Sequence, residues 1–445
     1  MTYASSVIDW AERSFDGQPE FIQAIVETVK SLEPELQRSD LWQQERVLER
    51  IIVPERNLCF RVVWEDDNGN VNVNRGYRVV FSTALGPGKG GLRFHPTVNS
   101  SILHFLGFEQ AFKNALTGLH LGAAKGGSDF DPHGRSDREI MRFCQAFMTE
   151  LQRHIGAQID VPAGDIGVGG REIGYLHGQY RRITARWEGE LTGKSPVWGG
   201  SLIRSEATGY GLVYFVEEML KTREDGVAGK KVTISGAGNV AQFAARLLMQ
   251  RGAKVLTLSD STGTLYLEDG FRPEDIDSIE RLRSGRGGSL GKWAEANRGT
   301  FLAGKRPWSV PCDIALPCAT QNEVERADAQ ALVDGGCKLV AEGANMPSNP
   351  EAIETFMKSG IAFGPAKAAN AGGVAVSGLE MAQNSVFRRW TAERVDSELQ
   401  EIMQTIHANC RAVAEEFGQP HNLEMGANIA GFRRLARAVV DQGLG

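Results

Sequence analysis

Two lysines in the first third of the chain stand where side chains are scarce: Lys89 in "GPGKGGLRF" and Lys125 in "LGAAKGGSDFDP". Glycine and alanine leave room for a small ligand to approach an amine. An amine whose pKa is depressed by burial or by nearby cations can exchange protons near neutral pH. Lys113 is expected to supply such a like charge, and cleft closure the burial. Gln110 and Lys113 are three apart on a helical stretch and share a face. Asp165 in "DVPAGDIGVGGRE" lies between Gly164 and Gly167 and could face a cleft as a proton carrier. The competing reading for an aspartate beside glycine is a turn acceptor. Metal chemistry finds no support: the eight histidines form no H-x-x-x-H pair, and no acidic run has calcium-loop spacing. "PGKGG" lacks the serine or threonine of a nucleotide-binding P-loop.

A second constellation begins at "KKVTISGAGNVAQFAARLLMQRGAKVLTLSD". Gly236, Gly238 and Ala241 fill the G-x-G-x-x-G/A spacing between a strand and a helix, and a second strand ends near Asp260. The first glycine makes the turn, the second admits a pyrophosphate to the backbone, and Ala241 lets the helix pack close. The helix start offers N–H groups to phosphate. Asp260 could accept from a ribose 2′-hydroxyl, which favours NAD. Ser259, Ser261 and Thr262 surround it, and Arg283 and Arg286 in "RLRSGRGG" could reach a 2′-phosphate or form a solvated patch.

The elements that carry these residues follow from pattern. The first ~35 residues have helical spacing. "NLCFRVVWEDD" and "VNVNRGYRVVFS" read as a hairpin turning at Asn68-Gly69. "NSSILHFLGFEQAFKNALTGL" reads as a helix with Ile102, Phe105, Leu106, Phe112 and Leu116 as its buried stripe. "HLGAAKGG" reads as a strand, and Ser136 with Glu139 caps a second helix. "VPAGDIGVGGRE" reads as a long loop before a third. From about residue 230, "KVTIS", "KVLTLS", "CDIALP", "KLVAE" and "IAFGP" alternate with helices, the rhythm of a doubly wound parallel sheet. The fold class is therefore α/β with two domains, about 1–199 and 200–424, and a C-terminal helix near 425–445 packing back on the first.

The chain has 445 residues, 42% hydrophobic composition and a formal net charge of -6. That length exceeds one comfortable core. No basic stripe marks a nucleic-acid binder, and no apolar run is long enough for a membrane span. The N-terminus lacks a signal-peptide layout. Six cysteines without a CxxC pair fit a reducing, cytoplasmic setting.

Taken in order, "GPGKGGLRFHP", "LGFEQAFKNAL", "KGGSDFDP", "DVPAGDIGVGGRE", "RSEATGYG", "SGAGNVA", "LPCATQNE", "AEGANMP" and "AANAGGVAVSGLEM" resemble the hexameric NADP-type glutamate dehydrogenases of bacteria and fungi. The resemblance runs from about residue 50 to the C-terminus. It implies an N-terminal substrate-binding and assembly domain, a Rossmann-like cofactor domain, a cleft between them, and a homohexamer. It implies that Lys125 is the catalytic lysine and Asp165 the proton-transferring aspartate. It places Lys89 and Ser377 at the substrate's γ-carboxylate, Gln110 and Lys113 at its α-carboxylate, and Gly164 as a backbone contact. Thr208, Asn239, Val240, Asn345 and Asn370 join Gly236, Gly238, Asp260, Ser261, Arg283 and Arg286 as cofactor contacts, with NADP favoured over NAD. Close relatives read "GGGKGG" where this chain has Ala123 and Ala124, which bears on pocket shape. The alternatives are a dehydrogenase of an apolar amino acid, with apolar residues at the Lys89 and Ser377 places, or a dinucleotide-binding regulator without turnover.

Overall fold

The computed structural model describes residues 2–284 and 288–444. Contacts divide the chain into two units: Met1–Arg204 with Val374–Asp396 and Asn428–Gly445, and Ser205–Gly373 with Ser397–Ala427. The sequence pattern assigns 374–396 to the second unit. It joins the first because Glu380, on the helix Gly372–Ser385, is buried against Lys194. Among the described residues, no helix is long and apolar enough to cross a membrane.

The first unit is built on a five-stranded sheet ordered β1-β2-β4-β3-β5, with β1 Arg56–Glu65, β2 Val71–Ser82, β3 Gly88–Phe94, β4 Ala123–Ser128 and β5 Asp160–Gly164. β1 and β2 form the expected hairpin, with Gly69 at φ +80° in the turn. β5 corrects the loop expected at "VPAG". It is five residues long, and Pro162 disguises it, but a sheet edge tolerates proline. Behind the sheet, Phe94, Phe130, Phe143 and Phe147 form the core with Trp64 and Leu176. The helix Asp137–Leu151 that supplies two of these rings begins at the expected Ser136–Glu139 capping box. The helix Ser100–Leu116 is buried more widely than its expected stripe: Leu103, His104, Phe108 and Ala111 are buried too, and Ile102 only partly.

Pleating sorts this sheet into two chemical faces. Leu92 pairs with Gly126 and Arg93 with Gly127, so Lys89, Arg93 and Lys125 share one face. On the other, Arg78 of β2 reaches past β4 and β3 to Asp160 of β5, its Nε donating to Oδ2 at 2.7 Å and its Nη1 to the Gly90 carbonyl at 3.2 Å. Both partners are fully buried. A Cβ at Gly126 would lie 3.0 Å from Arg78 Cδ, one at Gly88 2.8 Å from Asp160 Oδ1, and one at Gly90 1.7 Å from the Ala124 carbonyl oxygen. The glycines beside the lysines therefore make room for a buried ion pair and for close strands. That corrects the expectation that they keep space clear for a ligand.

The second unit carries a seven-stranded sheet ordered β12-β11-β10-β6-β7-β8-β9. The ranges are β6 Lys231–Ile234, β7 Lys254–Asp260, β8 Gly263–Tyr266, β9 Thr300–Ala303, β10 Ile314–Leu316, β11 Leu339–Ala341 and β12 Ala362–Gly364. β6, β7, β10, β11 and β12 are the five strands read from the sequence, and they run parallel. The antiparallel β8 and β9, of four residues each, extend one edge and were not expected.

Candidate active site

Lys125 projects from β4 and is nearly buried; its Nζ lies 2.6 Å from Asp165 Oδ2. Asp165 follows β5 in a tight turn closed by the Val168 N–H bonding to its carbonyl at 2.9 Å. A Cβ at Gly91 would fall 2.9 Å from Asp165 Cβ, so glycine there lets the aspartate lean over β3. Arg93, unremarked in the sequence, donates from Nε to the same Asp165 oxygen at 3.2 Å. Burial pushes the Asp165 carboxyl up, but the Lys125 and Arg93 cations outweigh it and hold the group well below the usual carboxylate range. Lys125 is lowered, chiefly by burial; Asp165 opposes this, and Arg93 and Arg78 add to it. The direction is the expected one. Arg93 and Arg78 are cations that the sequence had not connected with this amine.

Lys89 is 1% exposed and donates to Thr192 Oγ1 at 2.7 Å and to the Val161 carbonyl at 3.1 Å. Burial lowers its pKa strongly, the Arg204 cation adds to this, and Glu380 opposes it. Arg204 is likewise lowered by burial, and its Nε is buried without a hydrogen-bond partner. The fully buried Lys194 pairs with Glu380 at 2.8 Å. This one buried carboxylate therefore faces three cationic side chains, a set with two positive charges in excess. Ser377, 1% exposed, lies three residues before Glu380 on the same helix. Gln110 and Lys113 lie on the helix Ser100–Leu116, whose Gly107 packs 3.4 Å (measured from an added Cβ) from Lys125 Cβ; Gln110 donates to Asn114 Oδ1 at 2.6 Å. Gly164 ends β5 opposite Leu92. Of the two departures, Ala123 shares the Lys125 face and Ala124 points to the other; both are buried.

In the second unit the turn after β6 has Gly236 at φ +81°, where a Cβ would meet the Cys318 carbonyl oxygen at 2.9 Å. Gly238 has nothing within 4 Å of an added Cβ and opens the helix Asn239–Gln250, in which Val240 is second and Ala241 is fully buried. That is bare backbone and unspent helix N–H groups, a fit for pyrophosphate. Asp260 is already engaged: Oδ2 accepts from the Leu290 N–H at 2.9 Å, and Oδ1 accepts from Thr262 N and Oγ1 at 2.9 and 2.6 Å. Arg283 Nη1 lies 3.8 Å from it, and Ser261 is exposed beside it. An occupied carboxylate flanked by a cation and hydroxyls suits a 2′-phosphate better than a ribose diol. Arg286 lies outside the described residues. Asn370 donates to the Ala344 carbonyl at 2.9 Å and to Asn345 Oδ1 at 3.0 Å, leaving its own buried Oδ1 without a partner. Thr208 is half-buried near the start of the helix Ala207–Lys221.

Residues 199–443 match the glutamate/leucine/phenylalanine/valine dehydrogenase family, and residues 54–182 match that family's dimerisation domain. The chain belongs to this family. An NADP-specific glutamate dehydrogenase of Giardia intestinalis is 55% identical, over 95% of this chain and 95% of its own length. An NAD(P)-specific glutamate dehydrogenase of Xylanibacter ruminicola is 53% identical over 99% of each. The crystal structure of Plasmodium falciparum glutamate dehydrogenase superposes with a TM-score of 0.97 at 50% identity, covering 99% of this chain and 95% of that one.

One buried carboxylate outside the expected set ties two loops of the second unit together. Glu342, after β11, accepts from the Ser348 N–H at 3.2 Å and the Ala366 N–H at 2.9 Å. It thereby links the segment bearing Asn345 to that bearing Asn370. Burial raises its pKa to about 8, against those two donors, with the Glu424 carboxylate adding to the rise. The folded chain thus binds a proton there that the unfolded chain releases above its own pKa of 4.5. Wild-type stability should fall as pH rises from about 4.5 to about 8, by at most ~1.4 kcal/mol per pH unit. Glu342→Gln cannot ionise, so its melting temperature relative to wild type is expected to climb between pH 6 and pH 8. A pH-independent difference would contradict this.

Proposed function

We infer that this protein is an NADP-dependent glutamate dehydrogenase, catalysing the reversible oxidative deamination of L-glutamate to 2-oxoglutarate and ammonia. The observation that carries the substrate is the cationic surplus at Lys89, Arg204 and Lys194 against Glu380. Buried cations without counter-charge are costly, and a ligand carboxylate relieves that cost. Leucine, valine or phenylalanine would leave the surplus standing, which disfavours the apolar-substrate alternative.

NADP, when bound, supplies the hydride acceptor or donor, and the protein supplies alignment and charge. Lys125 polarises the substrate carbonyl, or in the other direction takes a proton from the water that attacks the α-carbon. Its lowered pKa suits both roles. Asp165, 2.6 Å from the amine, carries protons to and from the substrate nitrogen. Arg93 keeps that carboxylate ionised between transfers. Gln110 and Lys113 hold the α-carboxylate, Gly164 adds a backbone contact, and Ser377 joins Lys89 at the γ-carboxylate. A non-catalytic regulator has no use for an amine and a carboxylate buried together in this way. A homohexamer is supported by the sequence resemblance and by the dimerisation-domain match.

Initial rates with saturating 2-oxoglutarate and ammonium are expected to be at least tenfold higher, as kcat/KM, for NADPH than for NADH, about 1.4 kcal/mol of discrimination. Equal rates would assign dual specificity. No absorbance change with either coenzyme would overturn the reading.

A further inference from the structure

The segment 190–194 crosses the first unit without helix or strand, yet Glu190, Leu191 and Thr192 are fully buried and Lys194 is 3% exposed. Buried irregular backbone must find partners for its N–H groups elsewhere. The Thr192 N–H donates to the Pro162 carbonyl at 3.0 Å, tying the segment to β5. Those of Gly193 and Lys194 go to the Glu380 carboxylate, at 3.0 and 3.4 Å. The Lys194 ammonium joins them, bonding Glu380 at 2.8 Å and also donating to the Leu191 carbonyl. At the other end Glu190 Oε1 meets His177 Nδ1 at 2.6 Å. The segment is a strap pinned at both ends, with Thr192 in its middle. Thr192 Oγ1 is one of the two acceptors that orient the Lys89 ammonium, and the other, the Val161 carbonyl, belongs to β5 itself. With two of its hydrogens engaged, Lys89 has one direction left for a ligand, and the strap fixes that direction.

We propose that Glu380 is a positioning residue for recognition of the distal carboxylate: by clamping the 190–194 strap it places Thr192, and Thr192 aims Lys89. Glu380 touches no substrate in this role. It replaces the missing secondary structure of the strap with three charge-assisted bonds, and it partly balances the Lys89 and Arg204 cations before the ligand arrives. Discrimination between dicarboxylate and monocarboxylate substrates therefore depends on a group that lies behind the ones making contact. This inference rests on the glutamate reading above.

The test compares 2-oxoglutarate with 2-oxohexanoate, which has no distal carboxylate, in Glu380→Gln. Glutamine keeps the volume and one acceptor but loses the charge and the second acceptor. The expected result is a fall of about tenfold or more in kcat/KM for 2-oxoglutarate, carried by KM, as for loss of a charged acceptor of buried donors. The KM for NADPH and the kcat/KM for 2-oxohexanoate should stay within about threefold, since neither uses the strap. Should Glu380→Gln fold poorly, the pair Glu380→Gln with Lys194→Met removes both buried charges together, a change proteins often tolerate; it should show the same selective loss. Parallel loss on both oxo acids in a folded variant would mean a purely structural role and overturn the proposal, as would unchanged selectivity. Failure of the wild type to reduce 2-oxoglutarate would instead remove the glutamate reading, and the proposal with it.

Discussion

Lys125→Ala is expected to lower kcat with 2-oxoglutarate, ammonium and NADPH by about 100-fold or more, or ~2.7 kcal/mol in the barrier. The lysine is nearly buried, is 2.6 Å from Asp165 and is depressed by burial. Nothing else on that face of β4 can take a proton: its neighbours there are Ala123 and Gly127. Removing the amine also strips Asp165 of its closest cation while leaving Arg93 at 3.2 Å, so the carboxylate should stay ionised but titrate higher. The acid limb of the rate profile should move up in pH as the residual activity falls. NADPH binding, followed by the fluorescence of the reduced coenzyme, should be unchanged, because the residues assigned to it lie in the second unit. Turnover within about threefold of wild type would remove Lys125 from the mechanism.

The sequence made the local features of this site readable and left its long-range partnerships hidden. The strand–turn–helix at Gly236 and Gly238 could be read because its logic is contained in some 30 residues. The Ser136–Glu139 cap and the hairpin at Gly69 are equally local. Arg93, Thr192 and Glu380 escaped notice because their partners are distant in sequence. Arg93 meets Asp165 across 72 positions, Lys89 meets Thr192 across 103, and Glu380 meets Gly193 across 187. One signal was present: Lys89 and Arg93 are four apart in a strand, hence on one face. β5 was lost to Pro162; β8 and β9 are no shorter than strands that were read, but they pair antiparallel and fall outside the strand–helix alternation. The glycines show a right location reached by a partly wrong argument. They do mark the site, but they do so because Arg78 must lie flat beneath β4 and β3 to reach Asp160, and any side chain at Gly126 or Gly88 would obstruct it. A sequence displays the absence of side chains but not the residue that fills the space.

Lys89→Leu should change which amino acid the enzyme prefers. Lys89 is enclosed by the Thr192 hydroxyl, the Val161 carbonyl and the Arg204 cation, with almost no access to water. A substrate carboxylate brought there exchanges hydration for the ammonium, and a leucine side chain offers it nothing in return. Loss of one member of a buried charge pair costs about 3–5 kcal/mol, so glutamate should lose at least 100-fold in kcat/KM. Norleucine, whose chain ends in methyl, should lose little or gain, and the ratio of the two efficiencies is the measurement. The lowered pKa of Lys89 adds a pH signature with a definite sign. A neutral amine that already donates two hydrogens to Thr192 and Val161 presents a lone pair to an incoming carboxylate, which is repulsive; the protonated form presents a third N–H. Dicarboxylate binding therefore favours the protonated form, and KM for glutamate should rise as pH climbs through the pKa of Lys89 in the free protein. The substituted side chain has no proton to lose, so that rise should be absent from the variant at every pH. If glutamate and norleucine fell together, or the alkaline rise in KM survived the substitution, the cation reading the distal carboxylate would have to be Arg204 alone.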